Sequence, residues 1–197
     1  MPKTKTTNKE IGAGKVSGER SPEPEYRQRI ASFLKKELGA RPELALPRLV
    51  KIVINVGVGR KDEKEIENIT KHAEIITGQK CVPKKAKKSI ATFKTRQGMT
   101  VGIACTLRGS RMYDFLGRFV NITLPRLRDF RGIDSGSIDS SGNLTIGLKE
   151  HIVFPEIVGE DVKTPFGLEI TLVTNSRSKK EAELLFEALG VPFKSRQ

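Results

Sequence analysis

The sequence predicts an α+β fold, in which a mostly antiparallel sheet carries helices packed on one face. Segments with apolar residues at every third or fourth position mix with segments in which they alternate, and no strict strand–helix repeat runs through the chain. Apolar residues make up 37% of the 197 residues, enough to bury a core. This length suits one domain with tails. We therefore predict a single domain over residues 23–197, preceded by an arm over residues 1–22.

The arm, MPKTKTTNKEIGAGKVSGERSP, is rich in Lys, Thr, Gly and Ser and has almost no large apolar groups. Such a segment cannot offset the conformational entropy that it would lose on ordering, so we expect it to be flexible and disordered. Arms of this kind are common in RNA-binding proteins. A disordered tail without a role fits the composition equally well.

Two helices are predicted in the first half of the domain. The first runs from about Pro24 to Leu38, where apolar residues recur at helical spacing, and Gly39 ends it. The second begins after Asp62, whose side chain can cap it, and continues to about Thr77. Four side chains form the predicted inner face of this second helix: Ile66, Ile69, Ala73 and Ile76.

A strand over residues 49–59 lies between these helices, because LVKIVINVGVG alternates between two sets of residues. Successive residues of a strand point to opposite faces of a sheet. The residues that we place on the core face are Val50, Ile52, Ile54 and Val56. The residues that we place on the opposite face are Lys51, Val53, Asn55 and Gly57.

The rest of the chain predicts four strands and two helices. A short strand near Lys80–Val82 precedes a long loop over residues 83–99, PKKAKKSIATFKTRQGM. The other strands are predicted over residues 100–107, 144–148 and 168–174. The helices are predicted over residues 110–122, with Pro125 ending the helical pattern, and over residues 178–189. Turn-rich segment 131–143 and irregular segment 151–167 connect these elements.

The composition is strongly basic. Lys and Arg number 36 and Asp and Glu number 23, so the net charge is +13. A polyanion is therefore the first partner to consider, although some basic proteins are simply soluble. Trp is absent and Tyr appears twice, so many aromatic platforms for base stacking are not expected. The sequence has no long apolar stretch and no apolar signal core, which predicts a cytoplasmic protein without a membrane contact.

The charge is also segregated along the chain. From Ile75 to Tyr113 the sequence has no acidic residue. Its basic residues are Lys80, Lys84, Lys85, Lys87, Lys88, Lys94, Arg96, Arg108 and Arg111. Positively charged side chains this close in the sequence repel one another unless an anion lies nearby. The segment therefore predicts a nucleic-acid contact, with a merely solvated loop as the alternative. Five further residues could hydrogen-bond phosphate and sugar or lie against a base: Ser89, Thr92, Phe93, Thr95 and Gln97.

A second basic cluster lies in the segment PRLRDFRG, with Arg126, Arg128 and Arg131. Arg128 could be an ordinary ion-pair partner of its neighbour Asp129. Alternatively, the planar guanidinium groups could clamp backbone phosphates. The sequence leaves both interpretations open.

Support for a catalytic or nucleotide site is weak. Gly57-Val58-Gly59 follows a strand, but the third glycine of a dinucleotide-binding turn would fall at Asp62, whose carboxylate would oppose a pyrophosphate. His72 occupies a helical position, where surface or packing roles are common. His151 and Glu150 are adjacent and so point to opposite faces of a strand. We therefore expect neither an enzyme nor a cofactor.

Metal binding has little support either. Glu156, Glu160 and Asp161 could form a metal cluster, but their irregular loop and the lack of partner His ligands favour a solvated acidic loop. Cys81 and Cys105 do not form a CxxC pair, which makes a zinc cage improbable. We interpret them as free thiols in a reducing cytosol.

Several segments together resemble one family, over residues 25–194. The segments are LPRLVKIVINVGVG, TGQKCVPKKAKKSIATFKTRQGMTVGIACTLRG, RMYDFL, LPRLRDFRGI, GNLTIGL and IVFPEI. They closely resemble the bacterial family of large-subunit ribosomal protein five, the proteins that bind 5S rRNA in the central protuberance. The resemblance implies a non-enzymatic role: binding 5S rRNA, attaching it to the large subunit beside other central-protuberance proteins, and contacting 23S rRNA.

The resemblance also implies positions for these contacts. Polar contacts to 5S rRNA fall on Asn55, Gln79 and Thr106, with Lys80 and Arg108 beside them. The loop 84–98 would reach the peptidyl-site tRNA, through Lys84, Lys85, Lys87, Lys88, Ser89, Lys94, Arg96 and Gln97. Arg126, Arg128 and Arg131 are candidates for a clamp on rRNA. The resemblance implies a bridge contact with small-subunit ribosomal protein thirteen, and by charge Glu156, Glu160 and Asp161 are candidates for it, because phosphate repels carboxylates and a basic ribosomal protein attracts them.

The chain departs from the family pattern in three places. The arm is longer than the usual start of the family, and residues 26–43 match only loosely. The segment KKAKKS stands where a common form has KARKS, so that Lys87 takes the position of an Arg and loses its bidentate geometry.

Two other function classes are open on composition alone. One is a general RNA- or DNA-binding module outside the ribosome, such as an RNA chaperone. The other is an RNA-processing enzyme, which would need an acid–base or metal constellation that the sequence does not offer. Co-sedimentation with large subunits through a high-salt wash separates these classes, because a chaperone would wash off and an enzyme would be substoichiometric.

Overall fold

The computed structural model describes residues 23–38, 42–59, 61–128, 130–159 and 164–194. The predicted arm over residues 1–22 lies outside these ranges. Within them the α-helices are α1 (Glu23–Glu37), α2 (Glu63–Thr77), α3 (Ser110–Arg118), α4 (Leu124–Arg126) and α5 (Lys179–Ala188). The strands are β1 (Leu49–Gly57), β2 (Val82–Lys85), β3 (Thr100–Leu107), β4 (Leu144–Leu148) and β5 (Leu168–Thr174).

These strands form one sheet in the order β2-β3-β1-β5-β4, and every neighbouring pair is antiparallel. Short 3₁₀ turns break up the connections between strands and helices. The predicted α+β class with an antiparallel sheet is therefore confirmed. The short strand predicted near Lys80–Val82 lies slightly later, because Gln79 and Lys80 still belong to the turn that leaves α2.

The two faces of the sheet differ in composition, as the alternation in β1 predicts. Ile52, Ile54 and Val56 are buried, and the side chains directly opposite them on β3 are also buried. Those partners are Leu107, Cys105 and Ile103. The opposite face, which we call the open face, carries exposed residues such as Asn55 and Thr106. Since α1 contacts both α3 and α5, and α2 contacts β3, the helices add their apolar sides to the buried core.

Helix α2 begins and ends at the residues that the sequence predicts. Asp62 and Glu65 form a capping box at its start, in which the Asp62 N–H donates to Glu65 Oε2. Gly78 ends it with φ of 63°, and its N–H donates to the Glu74 carbonyl at 2.8 Å. Ile69, Ala73 and Ile76 are buried as predicted, whereas Ile66 is only partly buried.

The placement of Val50 on the core face is wrong. The pairing of β1 with β5 shifts register between Leu49 and Lys51. Such a bulge changes which residues point to a given face. Leu49 is therefore 5% exposed and takes the core position, and Val50 is 38% exposed.

Pro125 also does not end the third predicted helix. After α3 the chain makes a π-helical turn over Phe119–Thr123, in which the Leu124 N–H donates to the Phe119 carbonyl, and α4 follows. Proline cannot donate the usual helical hydrogen bond, and the wider turn changes the bonding pattern just before Pro125. The helical path therefore continues to Arg126, and Leu127 leaves it with an extended conformation, ψ of 131°.

Candidate nucleic-acid interface

The open face of the sheet brings two of the predicted 5S rRNA residues together. Thr106 lies opposite Val53, and Asn55 lies opposite Ala104, so that Asn55 and Thr106 are diagonal neighbours on β1 and β3. Both side chains are exposed. Within the described ranges the Asn55 amide makes no hydrogen bond, so its donors and acceptor face solvent. The pair therefore lies on the face that the alternation in β1 and β3 predicts.

Gln79 joins the same surface from the end of α2. Its side-chain N–H donates to the Thr106 carbonyl at 3.1 Å, and the Thr77 hydroxyl donates to the Gln79 carbonyl at 3.0 Å. The left-handed Gly78 turns the chain so that Gln79 reaches β3. The three polar residues predicted to bind 5S rRNA therefore lie in one cluster, although they come from three separate elements.

The charge around this cluster is uneven. Lys80 and Arg108 are exposed and follow Gln79 and β3 directly. On the other side of Asn55 lies Glu169 of β5, which is its direct cross-strand neighbour. Because a carboxylate repels phosphate, an RNA backbone would approach from the β2–β3 side of the sheet.

Two lysines extend the basic side of the open face. Lys84 lies on β2 opposite Gly102, which places it on the open face and not in a loop. Lys51 lies opposite Val173 on β5 and also belongs to this face. The sequence places Lys51 on the non-core side of β1, but gives no signal that it borders the Gln79 cluster.

The segment predicted as a long loop, residues 83–99, begins with the end of β2 and continues as the loop of a β2–β3 hairpin in which a few backbone positions pair. Beyond β2 the Ala86 N–H donates to the Met99 carbonyl, and the Gly98 N–H donates to the Ala86 carbonyl. Closer to the tip, Ile90 and Thr95 exchange two backbone hydrogen bonds of 2.9 and 3.1 Å. The predicted long loop therefore begins later than expected, because residues 83–85 belong to β2, while residues 86–99 form a loop with a few paired backbone positions.

The hairpin presents positive charge and apolar groups together. Its predicted contact residues Lys85, Lys87, Lys88, Lys94, Arg96 and Gln97 are all exposed, as is Ser89. The Ser89 hydroxyl accepts the Gln97 N–H at 2.9 Å, which fixes the width of the ribbon next to the tip. Phe93 is 64% exposed at the turn, and Lys94 has φ of 50°. An aromatic ring among cations suits contact with a base or a ribose beside phosphates.

The arginine cluster lies on a segment whose glycine has a packing role. Arg126, Arg128 and Arg131 are exposed. Asp129, the predicted ion-pair partner of Arg128, lies outside the described residues. Gly132 has φ of 100°, and a Cβ there would lie 2.6 Å from the Lys194 backbone nitrogen. Gly132, the last residue of the PRLRDFRG segment, therefore packs closely against the backbone of Phe193 and Lys194, while the three arginines remain exposed.

Of the three acidic residues Glu156, Glu160 and Asp161, Glu156 forms an ion pair within the protein. Glu156 Oε1 accepts a hydrogen bond from Arg118 Nη1 in an ion pair, and Arg118 Nη2 lies 3.5 Å from the Ile76 carbonyl. The side chains of Arg118 and Glu156 are 35% and 19% exposed. Glu160 and Asp161 lie outside the described residues, so the predicted acidic surface is described at Glu156 alone.

The histidines form a stack. The His151 ring stacks on Phe166, with ring centres 3.8 Å apart, and also on His72, with ring centres 5.3 Å apart. His151 Nδ1 accepts the Phe166 N–H at 3.3 Å. Burial, with the neighbouring His72, lowers the pKa of His151 to about 4, so the ring is neutral near pH 7. His151 thus serves the packing of the core.

No ligand set for a metal is present in the described part of the chain, where His, Cys, Asp and Glu do not gather in groups of three or more. Among the same residues, no helix is long and apolar enough to cross a membrane. The candidate interface is therefore the polar and basic open face of the sheet, together with the basic hairpin that extends from it.

Two profiles of one known protein family together match nearly all of the described domain. A family profile described as "Ribosomal protein L5" matches residues 43–96, and a second profile, for the C-terminus of the same ribosomal protein family, matches residues 100–193. The boundary between the two matched regions falls in the hairpin, just before β3.

Individual relatives align over most of their own length. The large ribosomal subunit protein uL5 of Mesoplasma florum is 48% identical over 173 residues, which cover 87% of this chain and 96% of the relative. The uL5 proteins of Nitratidesulfovibrio vulgaris and Alkaliphilus metalliredigens are 43% and 45% identical, and the alignments cover 86% and 85% of this chain. At this identity and coverage, the chain belongs to the uL5 family of large ribosomal subunit proteins, whose members are structural constituents of the ribosome and not enzymes.

Proposed function

We propose that the chain anchors 5S rRNA in the central protuberance of the large ribosomal subunit, in the bacterial cytoplasm. The observation that carries this proposal is the cluster of Asn55, Gln79 and Thr106 at the basic side of the open face. Asn55 and Thr106 are exposed and Gln79 is half-buried, while Lys80 and Arg108 would supply charge for the RNA backbone. Polar side chains that read an RNA surface beside cations that hold phosphates give binding that is both specific and salt-dependent.

One member of the cluster, Gln79, is held in place in the free protein. The Gln79 side chain is attached to β3 through the Thr106 carbonyl, and the Gln79 carbonyl is held by Thr77. Because these groups are already ordered, RNA binding would not have to offset the full entropy of ordering them. This favours site-specific recognition over a general attraction to polyanions, which is what the alternative RNA chaperone would need.

The proposal includes two further contacts with RNA and one with protein. The hairpin, residues 82–107 with its tip at residues 90–95, would reach the peptidyl-site tRNA, where Lys87, Lys88, Lys94 and Arg96 hold phosphates. Arg126, Arg128 and Arg131 would clamp 23S rRNA through their guanidinium groups. The region that follows Glu156 would contact small-subunit protein thirteen in a bridge between subunits.

The central claim is tested by titrating purified full-length protein with 5S rRNA. Asn55→Ala should weaken binding by about 1–3 kcal/mol, the scale for losing one buried polar partner, and should leave the fold intact. Thr145→Ala is a matched control, because Thr145 lies on the same open face but on the far strand β4, where it contacts Thr171. Equal losses for 5S rRNA and for unrelated RNA hairpins would contradict specific recognition at this cluster.

A further inference from the structure

Two buried cysteines face each other across the base of the hairpin. Val82 lies opposite Ala104 in the antiparallel pair of β2 and β3, so one step outward along the pair brings Cys81 opposite Cys105. Val82 is exposed on the open face, and the residue before it therefore points to the core. Cys105 points to the core from β3, and each cysteine is 4% exposed. The thiols therefore share one side of one strand pair.

The distance between two such positions suits a disulfide. Residues directly opposite in an antiparallel pair have Cα atoms about 4.5–5.5 Å apart, and disulfides bridge Cα atoms about 4.4–6.8 Å apart. The pKa of the Cys81 thiol is raised first by burial and in lesser part by the neighbouring Cys105 thiol, in keeping with their facing positions. An S–S bond between them would therefore need little movement of the backbone.

The surroundings protect the reduced form in the folded state. The Cys81 thiol lies 3.7 Å from both the Thr77 hydroxyl and the Gln79 carbonyl. Burial raises the pKa of Cys81 to about 12, so the reactive thiolate is scarce near pH 7. However, β2 is a four-residue strand at the edge of the sheet, and all four of its residues are exposed. Local opening of such an edge costs far less than global unfolding and exposes Cys81.

We propose that Cys81 and Cys105 are a redox modification site, at which a hydroperoxide converts the dithiol into a cross-strand disulfide. One thiolate attacks the terminal peroxide oxygen, the O–O bond breaks, and a sulfenic acid forms. The second thiol then attacks the sulfenic sulfur, the S–S bond forms, and water leaves. With hydrogen peroxide, the two thiols lose two electrons and two protons in all, and two water molecules are produced.

The disulfide would close the hairpin at its root. The crosslink lies next to Gln79 and Thr106, because Cys81 is two positions after Gln79 and Cys105 directly precedes Thr106. It would prevent the short edge strand β2 from separating from β3. The inference goes beyond the proposed RNA contacts and does not depend on them.

The test uses purified full-length protein treated with hydrogen peroxide under native conditions. We expect an intact mass lower by about 2 Da, a crosslinked peptide that contains both cysteines, and a Tm higher by roughly 5–10 °C, all reversed by a dithiol reductant. Cys81→Ala and Cys105→Ala are matched controls that keep one thiol each. Neither should lose 2 Da or gain in Tm on treatment.

Three results would overturn the proposal. The first is a disulfide that forms only in denaturant. The second is oxidation of a single cysteine to sulfinic acid without a crosslink, and the third is a crosslink between two chains in place of the one within a chain. Because all these readouts come from the protein alone, a failure here leaves 5S rRNA binding unaffected, and a failure of 5S rRNA binding leaves the mass and Tm results unaffected.

Discussion

The side-chain amide of Gln79 donates a hydrogen bond of 3.1 Å to the backbone carbonyl of Thr106, which joins the end of α2 to β3. Without this bond, Gln79 would be one of many polar residues near a helix end. With it, the side chain is fixed at the backbone of Thr106, whose own side chain lies on the open face. The bond therefore links the architecture of the sheet to the proposed RNA site.

Replacing Gln79 should affect RNA binding more than folding. Gln79→Ala removes one partly exposed hydrogen bond, which is expected to lower the free energy of unfolding by about 0.5–1.5 kcal/mol. We expect the affinity for 5S rRNA to fall at least about tenfold in filter-binding titrations, because the polar cluster loses a member and its support. Gln79→Glu should be at least as weak, since a carboxylate cannot donate to the carbonyl and repels phosphate. Binding of Gln79→Ala at the original affinity would remove Gln79 from the site.

The hairpin and the open face should bind different RNAs, the hairpin tRNA and the open face 5S rRNA. Replacing Lys87, Lys88 and Lys94 by Ala should flatten the salt dependence of tRNA contact, since each phosphate contact contributes about −0.7 to −0.9 to the slope of log affinity against log salt. The same variant should slow translation and leave 5S rRNA binding nearly intact. Lys84→Ala is the matched change on the open face and should weaken 5S rRNA binding instead. Loss of 5S rRNA binding in the triple variant, with normal peptidyl-site tRNA occupancy, would reverse the assignment.

The bridge contact should depend on Glu160 and Asp161 and not on Glu156. Reversing both charges to Lys should impair joining of the subunits in sedimentation profiles and spare 5S rRNA binding, because a basic ribosomal protein is attracted to carboxylates. Glu156→Gln is a control of a different kind. It leaves Arg118 without its partner and should lower stability by roughly 1–2 kcal/mol, less than for a fully buried pair because both side chains are partly exposed. Unchanged joining after the double reversal would end the bridge hypothesis.

His151 should make the protein less stable in mild acid. An unfolded histidine titrates near pH 6.5, whereas the pKa of folded His151 is lowered to about 4, first by burial and then by His72. As the pH falls from 6.5 to 4, the unfolded chain takes up a proton that the folded chain does not. The free energy of unfolding should therefore decrease over this window by up to roughly 3 kcal/mol and be unaffected by His151 above pH 6.5. Urea unfolding at a series of pH values measures this slope.

His151→Phe is the control for that slope. The new ring can still stack on Phe166 and His72, but it cannot accept the Phe166 N–H, so a lower starting stability is expected. The part of the pH dependence that belongs to His151 should disappear. An equally steep decline in the variant would assign the acid sensitivity to other groups.

The sequence predicts those parts of the fold that rest on local side-chain patterns. Ile52, Ile54 and Val56 occupy every second position of β1 because one face of the strand is buried, and that period can be recognised without knowing the neighbouring strands. Asp62 and Gly78 bound α2 because capping and left-handed turns depend on a few adjacent residues. For the same reason the placement of Asn55 on the open face could be predicted.

The rest depends on partners that are distant in the sequence. Val50 leaves the core because of the register with β5, and nothing near Val50 signals that pairing. The sequence does not show that residues 83–85 pair with β3, because the lysines there show no alternation, yet backbone pairing requires none when both sides are solvated. Likewise, neither the bond from Gln79 to Thr106 nor the ion pair of Glu156 with Arg118 has a local signal.

The central position of β1 has a consequence for synthesis of the protein. Its two neighbours are β3 and β5, and Leu49 pairs with Thr174 near the far end of the chain. During translation, β1 and β3 emerge long before β5, so the nascent sheet exposes one unpaired side of its most apolar strand until the last part of the message is read. The pairing of β1 with β5 joins residues that are far apart in the sequence, and such contacts form slowly. The sheet is therefore completed only when synthesis of the chain is nearly finished. A partly made chain is therefore the form most prone to aggregate, and the one for which a chaperone would matter most.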